Sequence, residues 1–317
     1  MTPGQFLLRF FYTPVGSVRR SIREGGPWAQ ARTEANRREM ETAAAHLGPL
    51  PVFQDAPCAS VHLMTGRRFW YQSAFCLHSL AIASRANVRA VLYDDGSIDE
   101  ECAGRLASLG PGVRIRRAQE LREQLDRLLP AARFPVLRER WQNYVNIRKL
   151  TDVHCGSSGW KLVIDSDILF FRRPDVMLDW LAAPGGPLHA VDCAEAYGYS
   201  RDLMARLAKA PIAPLVNVGL CGLRSEDLDW ERLEAWCAEL IARERTNYYL
   251  EQALVAMIVA GKRCTVAPPG DYVTLPQRCE VERPRAVMHH YVDTSKRWYF
   301  RYGWRHIAGA SAAGGGA

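Results

Sequence analysis

Two aspartates one residue apart, Asp165 and Asp167, follow the apolar run Leu162-Val163-Ile164 and precede Ile168-Leu169-Phe170-Phe171. Carboxylates so spaced at a strand end can both reach one hard cation. Mn²⁺ or Mg²⁺ prefers such oxygen ligands and bridges readily to a diphosphate. A bare Asp-x-Asp is a weak signal, because an Asx-turn in a surface loop has the same residues. Apolar strands on both sides make this one a candidate metal site, with Ser166 between the two ligands.

The elements that must position such a site read as alternating strands and helices. Residues 61–64 form an apolar run closed by Thr65-Gly66-Arg67-Arg68, and residues 69–84 carry helical spacing. Residues 88–93 predict the next strand, which ends on the turn-rich Asp94-Asp95-Gly96-Ser97. Helices are expected over 97–109, 118–129, 137–154, 226–244 and 248–260, and further strands over 113–116, 161–164, 188–192, 216–220, 263–266 and 286–289. This alternation predicts an α/β domain with a mainly parallel sheet flanked by helices. Ligands in such sheets bind beyond the carboxyl ends of the strands, so polar clusters just after strands are the places to search.

The segment from Ile164 to Pro174 resembles the Asp-x-Asp region of the GT-A glycosyltransferases, and most closely the family 8 type. Three further segments agree in order. His290, Lys296 and Trp298 keep the spacing of that family's C-terminal His-x-x-Gly-x-x-Lys-Pro-Trp, with Asp293 in place of Gly and Arg297 in place of Pro. Asn217-Val218-Gly219 is similar to its Asn-x-Gly strand. Glu251-Gln252 is similar to the start of its Asp-Gln-Asp, with Ala253 replacing the second acid. The resemblance spans residues 60–305. It implies a Rossmann-like GT-A domain over 51–305, a nucleotide-diphosphate sugar donor with UDP favoured, and transfer of a hexose to a saccharide, lipid or protein hydroxyl.

It also implies roles. His290 becomes the third protein ligand of the metal, although the adjacent His289 could take that place. Lys296 neutralises the leaving diphosphate, an electrostatic task that dominates transfer chemistry. Asp94 and Asp95 meet the nucleoside, and beside this stands the reading of a plain turn. Thr65, Gly66 and Arg67 approach the nucleotide, with Gly66 allowing close backbone contact and Arg67 or Arg68 holding phosphate. Lys149, on the helix before the metal strand, contacts the sugar nucleotide or is simply a solvated charge. Asn217, Gly219, Asp192, Glu251 and Gln252 surround the sugar. With retention of configuration, implied by the resemblance, a carboxamide such as Gln252 stabilises an oxocarbenium-like state. With inversion, Asp192 or Glu251 serves as base.

Composition narrows the other classes. The chain has 317 residues, enough to bury a sizeable core, and 48% hydrophobic with 24% charged residues is ordinary for a globular protein. The net charge of +7 is concentrated in residues 1–23, which hold Arg9, Arg19, Arg20 and Arg23 and no acid. The rest is only mildly basic and carries no nucleic-acid motif, so no nucleic-acid partner is expected. Residues 1–50 read as a basic helical extension whose first 23 residues could lie on an anionic membrane surface or pack on the domain. The longest apolar run, Ala253 to Ala260, is far too short to span a bilayer. Nine cysteines without a Cys-x-x-Cys predict reduced thiols and a cytoplasmic protein rather than a disulfide framework or zinc site. The Gly/Ala-rich residues 306–317 are expected to be disordered. Two other functions fit parts of the pattern: a catalytically silent nucleotide-sugar-binding protein of the same fold, and a nucleotidyltransferase. The single glycine after the first strand counts against the latter.

Overall fold

The computed structural model describes residues 26–314. The basic segment 1–23, and with it the membrane-contact expectation, lies outside the described residues. The N-terminal helix α1 (Pro27–Ala44) buries Met40 and Ala44 against the domain and leaves Trp28 exposed. β1 (Cys58–Thr65) leads into α2 (Trp70–Ser84), and β2 (Asn87–Asp94) into α3 (Glu100–Ala107). Helix α2 has no charged residue and is buried almost all round, as a helix apolar on every side must be. After β3 (Val113–Arg116) come α4 (Ala118–Leu128), α5 (Pro135–Asn143) and α6 (Arg148–His154).

The expected single helix over 137–154 is broken between α5 and α6. Tyr144 is extended there, with φ −144° and ψ 95°. Its hydroxyl donates to the carbonyl of Tyr248 at 2.6 Å, a tertiary bond that a continuous helix would not direct. The turn brings Arg148 back over the Trp141 ring, 4.5 Å from its centroid.

β4 (Trp160–Ile164) and β5 (Ile168–Phe170) flank the two aspartates, and α7 (Asp175–Ala182) follows. Next are β6 (Leu188–Val191), α8 (Arg201–Ala208), β7 (Val216–Arg224), α9 (Trp230–Glu244), α10 (Leu250–Ile258) and β8 (Thr265–Val266). The chain ends through β9 (Tyr272–Thr274), α11 (Arg278–Glu282), β10 (Met288–His290), the short α12 (Lys296–Trp298), a π-turn (Tyr299–Gly303) and α13 (Trp304–Gly314).

The main sheet has seven strands in the order β3-β2-β1-β4-β7-β6-β8. The pairings β1·β2, β2·β3, β1·β4 and β6·β8 are parallel, while β7 runs antiparallel to both neighbours. Helices cover both faces. One core gathers α1, α2, α7 and α13 on one side, and the other gathers α5 and α8–α10. This is the expected α/β architecture with a mostly parallel sheet. Because β7 is reversed, its N-terminal end meets the carboxyl ends of β1, β2, β4 and β6 at one edge.

The expected apolar strand after the aspartates and the expected strand over 286–289 do not join the main sheet but form a second one, β5-β10-β9, whose third strand the pattern did not show. The three residues of β9 carry too little periodicity to read. Pairing of β10 with β5 sets His290 opposite Ile168, directly beside the aspartates. At the C-terminus the expectation of disorder from residue 306 is corrected. Ile307 is buried in the core, and His306 hydrogen-bonds the Val281 carbonyl at 2.9 Å, so the ordered helix extends past the expected boundary. No helix among the described residues is long and apolar enough to cross a membrane.

Candidate active site

Asp165 leaves the end of β4 with its amide donating to the carbonyl of Gly219 on β7, at 2.8 Å. Asp167 opens β5, and its carbonyl accepts from the amide of Tyr291 at 2.9 Å. These backbone bonds tie the two carboxylates to β7 and β10. His290 points its Nε2 at both, 3.5 Å from Asp165 Oδ2 and 3.4 Å from Asp167 Oδ1. One ligand atom from each of the three residues lies within 4.8 Å of the others, so one cation could take all three. Gly219 makes room for this imidazole, since a Cβ there would fall 2.2 Å from His290 Cε1.

Strand alternation sends the two adjacent histidines to opposite faces, and only His290 faces the aspartates. His289 is fully buried, packs on Phe171 at 4.9 Å between ring centroids and hydrogen-bonds the Tyr291 hydroxyl. It does not approach the aspartates.

Two lysines complete the cluster. Lys149 Nζ lies 2.5 Å from Asp165 Oδ1, and Lys296 Nζ lies 3.1 Å from Asp167 Oδ2. Lys149 is buried, which removes its reading as a solvated charge. Burial opposes charge on all these groups, and the mutual pairing overcomes it. Lys149 and His290 hold Asp165 below its usual value despite desolvation, and Lys296 and His290 do the same for Asp167. For His290 the desolvation that would lower it is outweighed by hydrogen bonds to both aspartates, which raise it to about 9. Glu251 is buried nearby, and desolvation pushes it up to about 7, with Lys149 offsetting part of the effect.

A polar network lies at the same sheet edge. Gln252, in the first turn of α10, donates from Nε2 to Asp192 Oδ2 at 2.8 Å and to the Val216 carbonyl at 2.9 Å. Asn217 donates to the same Asp192 oxygen at 3.2 Å and accepts from the Gly219 amide at 2.9 Å. Asp192 is thus fixed by two carboxamides. Ala253 has no exposed surface and packs in the core, where an acid would be buried without a partner.

The loops after β1 and β2 are held mostly by themselves. Asp94 is buried, and its carboxylate accepts from the amides of Gly96, Ile98 and Ala118 at 2.8, 3.1 and 3.3 Å. This is the turn-bracing alternative, and it leaves the side chain engaged by its own turn and by the start of α4. Asp95 accepts from the Ser97 amide at 3.0 Å, and its carboxylate fills the space that a Gly66 side chain would need. Close approach at Gly66 is therefore to Asp95. The Thr65 hydroxyl is buried and accepts from Ser73 at 2.8 Å. Arg67 remains exposed, with its guanidinium 3.4 Å from Asp99. Ser166 sits half-buried between Asp165 and Asp167.

Sequence reasoning missed two supports. Arg148 donates to the carbonyl of Asp95 at 2.8 Å and so ties the loop after β2 to the helix that carries Lys149. Tyr144 bridges the Tyr248 carbonyl and the Glu251 amide. Only the paired Arg148-Lys149 gave any signal for the first, and nothing local marks the second.

No protein-family model and no curated protein matches the sequence. Solved structures do match. The galactosyltransferase LgtC, in complex with donor and acceptor sugar analogues, superposes with a TM-score of 0.53 at 13% identity over 80% of this chain and 96% of that one. An active-site mutant of LgtC gives 0.52 at 14%, over 80% and 96%. The bifunctional glycosyltransferase WbbM in its apo form gives 0.50 at 12%, over 83% of this chain and 53% of its own. The chain shares the GT-A fold of these glycosyltransferases.

Proposed function

We propose that the chain is a metal-dependent glycosyltransferase that moves a hexose from a nucleotide-diphosphate sugar, UDP-sugar favoured, to a hydroxyl of a saccharide, lipid or protein acceptor. The observation that carries this reading is the convergence of Asp165, Asp167 and His290 on one small volume at the ligand-binding edge of the sheet. Two carboxylates and one imidazole suit Mn²⁺ or Mg²⁺, and the imidazole favours Mn²⁺ of the two. The ion supplies Lewis-acid stabilisation of charge on the departing diphosphate.

The chain's own residues do the rest. Lys149 holds the Asp165 carboxylate in place, and Lys296, 45% exposed at its side chain, is free enough to reach the diphosphate as well as Asp167. Arg67, Asp95 and the loop residues Thr65, Gly66 and Asp94 border the nucleoside side. Gln252 commits its amide nitrogen to Asp192 and Val216, while no hydrogen bond engages its carbonyl oxygen among the described residues. An oxygen so fixed supports stabilisation of an oxocarbenium-like sugar, and with it a retaining outcome, as the resemblance to family 8 implies. Asp192 orients Gln252, and Glu251 lies behind Lys149.

Calorimetric titration of UDP with Mn²⁺ and with EDTA, repeated on Asp167→Ala, tests the donor half. Binding that needs both the metal and Asp167 supports the reading, and hydrolysis of a UDP-sugar panel then identifies the sugar. Silence toward UDP, GDP and other nucleotides removes it.

A further inference from the structure

Alternation along β10 gives the small sheet two chemically different faces. His290 looks toward the aspartates. His289, paired in register with Val273, looks the other way, onto the wall of a cavity of about 340 Å³. Val273 and Ala286 give this cavity an apolar floor, and Arg283, Arg285 and Glu280 stand around it. None of these residues takes part in the site already described.

The polar groups here are left with unused capacity. Arg283 and Arg285 are exposed, and no carboxylate pairs with either among the described residues. Glu280 engages one carboxylate oxygen with the Gln277 amide at 2.6 Å, as part of a capping box, which leaves its other oxygen for a hydroxyl. His289 has no exposed surface, yet its Nε2 has no hydrogen-bond partner, while its Nδ1 meets the Tyr291 hydroxyl at 3.2 Å.

We propose that this cavity is a second binding site, for a small molecule with a phosphate head and a hydroxyl-bearing body of sugar-phosphate type. Two guanidinium groups two residues apart on the Arg283-Pro284-Arg285 segment suit a phosphate. Glu280 suits a hydroxyl, and the apolar floor of Val273 and Ala286 suits the face of a sugar ring. The volume falls at the lower end of the range typical of small-molecule sites, roughly 300–1,000 Å³. The proposal is independent of the donor-site reading, because it uses the opposite face of the sheet.

The test is calorimetry in EDTA with glucose 1-phosphate, inorganic phosphate and glucose as probes. Glucose 1-phosphate is expected to bind at least tenfold more tightly than inorganic phosphate, and glucose not measurably. The double variant Arg283→Ala/Arg285→Ala should weaken glucose 1-phosphate at least tenfold, with unchanged thermal stability because both side chains are exposed. Asp167→Ala should leave that affinity within twofold. Four results would overturn the site: no binding by the wild-type protein, binding indifferent to the two arginines, loss of binding in Asp167→Ala instead, or equal affinity for inorganic phosphate.

Discussion

Two acidic turns sit at carboxyl ends of strands on one edge of the sheet, and they have opposite fates. Asp94, at the end of β2, accepts two backbone amides from its own turn and a third from Ala118 at the start of α4, and Asp95 accepts from the amide and hydroxyl of Ser97. Asp165 and Asp167, at the end of β4, face Lys149, Lys296 and His290 instead. A carboxylate already surrounded by amides is a structural part, because leaving would strand buried donors. A carboxylate held by side-chain cations can exchange them for another cation at little structural cost. Acidity and position alone do not make a ligand; the partners decide.

The strongest way to break this contrast is to remove one member of the second pair. Asp167→Ala should weaken Mn²⁺-dependent UDP binding at least a thousandfold, about 4 kcal/mol, as measured by calorimetry. In EDTA the same variant should show little UDP binding to lose. Retention of metal-dependent affinity would mean that the cluster is a structural ion pair like many others.

A second test uses protons. His290 is raised to about 9 in the folded, metal-free protein, against about 6.5 unfolded. A group raised on folding contributes stability that is complete below its unfolded value and is lost as pH climbs through its folded value. In EDTA, stability to denaturant should therefore fall between pH 6.5 and 9, by an amount on the order of 3 kcal/mol. The stabilisation added by Mn²⁺ should rise over the same window, since the metal needs the neutral imidazole. His290→Gln should flatten both slopes. The Asp94 turn has no counterpart to this crossing pair of slopes.

The third test acts on the structural turn. Asp94→Ala removes the acceptor of three amides, two of them within its own turn, and should cost about 2 kcal/mol in denaturant unfolding. The loss should be equal with and without Mn²⁺. A metal-dependent loss would place Asp94 with the second kind of turn after all.

How far the sequence reveals this contrast depends on where the deciding residues lie. The strands before both turns are legible as apolar runs, and the α/β architecture follows from their alternation with helices. A local clue separates the turns: Asp94-Asp95 is followed by Gly96-Ser97, which close a tight turn, whereas Asp167 runs straight into the apolar β5. The partners are not local. Lys149 comes from the helix before β4, and His290 and Lys296 come from more than 120 residues later, at the end of a three-residue strand and at the start of the short α12. Resemblance to a known motif located them; the hydrophobic pattern did not. The break at Tyr144 was illegible because its cause, the bond to Tyr248, lies about a hundred residues away. The far-side cavity was illegible because it depends on which face of β10 each histidine takes.

The smallest expected effect concerns a third acid at this edge. Asp293 lies between His290 and Lys296, in the position where the resembling family has Gly, and its φ is +44°. Only glycine adopts that region without strain, although Asp tolerates it better than most residues. The loop has therefore kept the glycine-type backbone while losing the glycine. Asp293→Gly should relieve the strain, offset by the greater freedom of the unfolded chain and by loss of the carboxylate's own interactions, for a net change within about 0.5 kcal/mol. Asp293→Val, which cannot tolerate positive φ, should lower stability by about 1–2 kcal/mol. Thermal unfolding of both variants in EDTA separates backbone from charge, because both remove the carboxylate and only one keeps the favoured conformation. If both variants lose stability equally, the carboxylate holds the loop, and Asp293 belongs with Asp94 among the acids that brace their own chain.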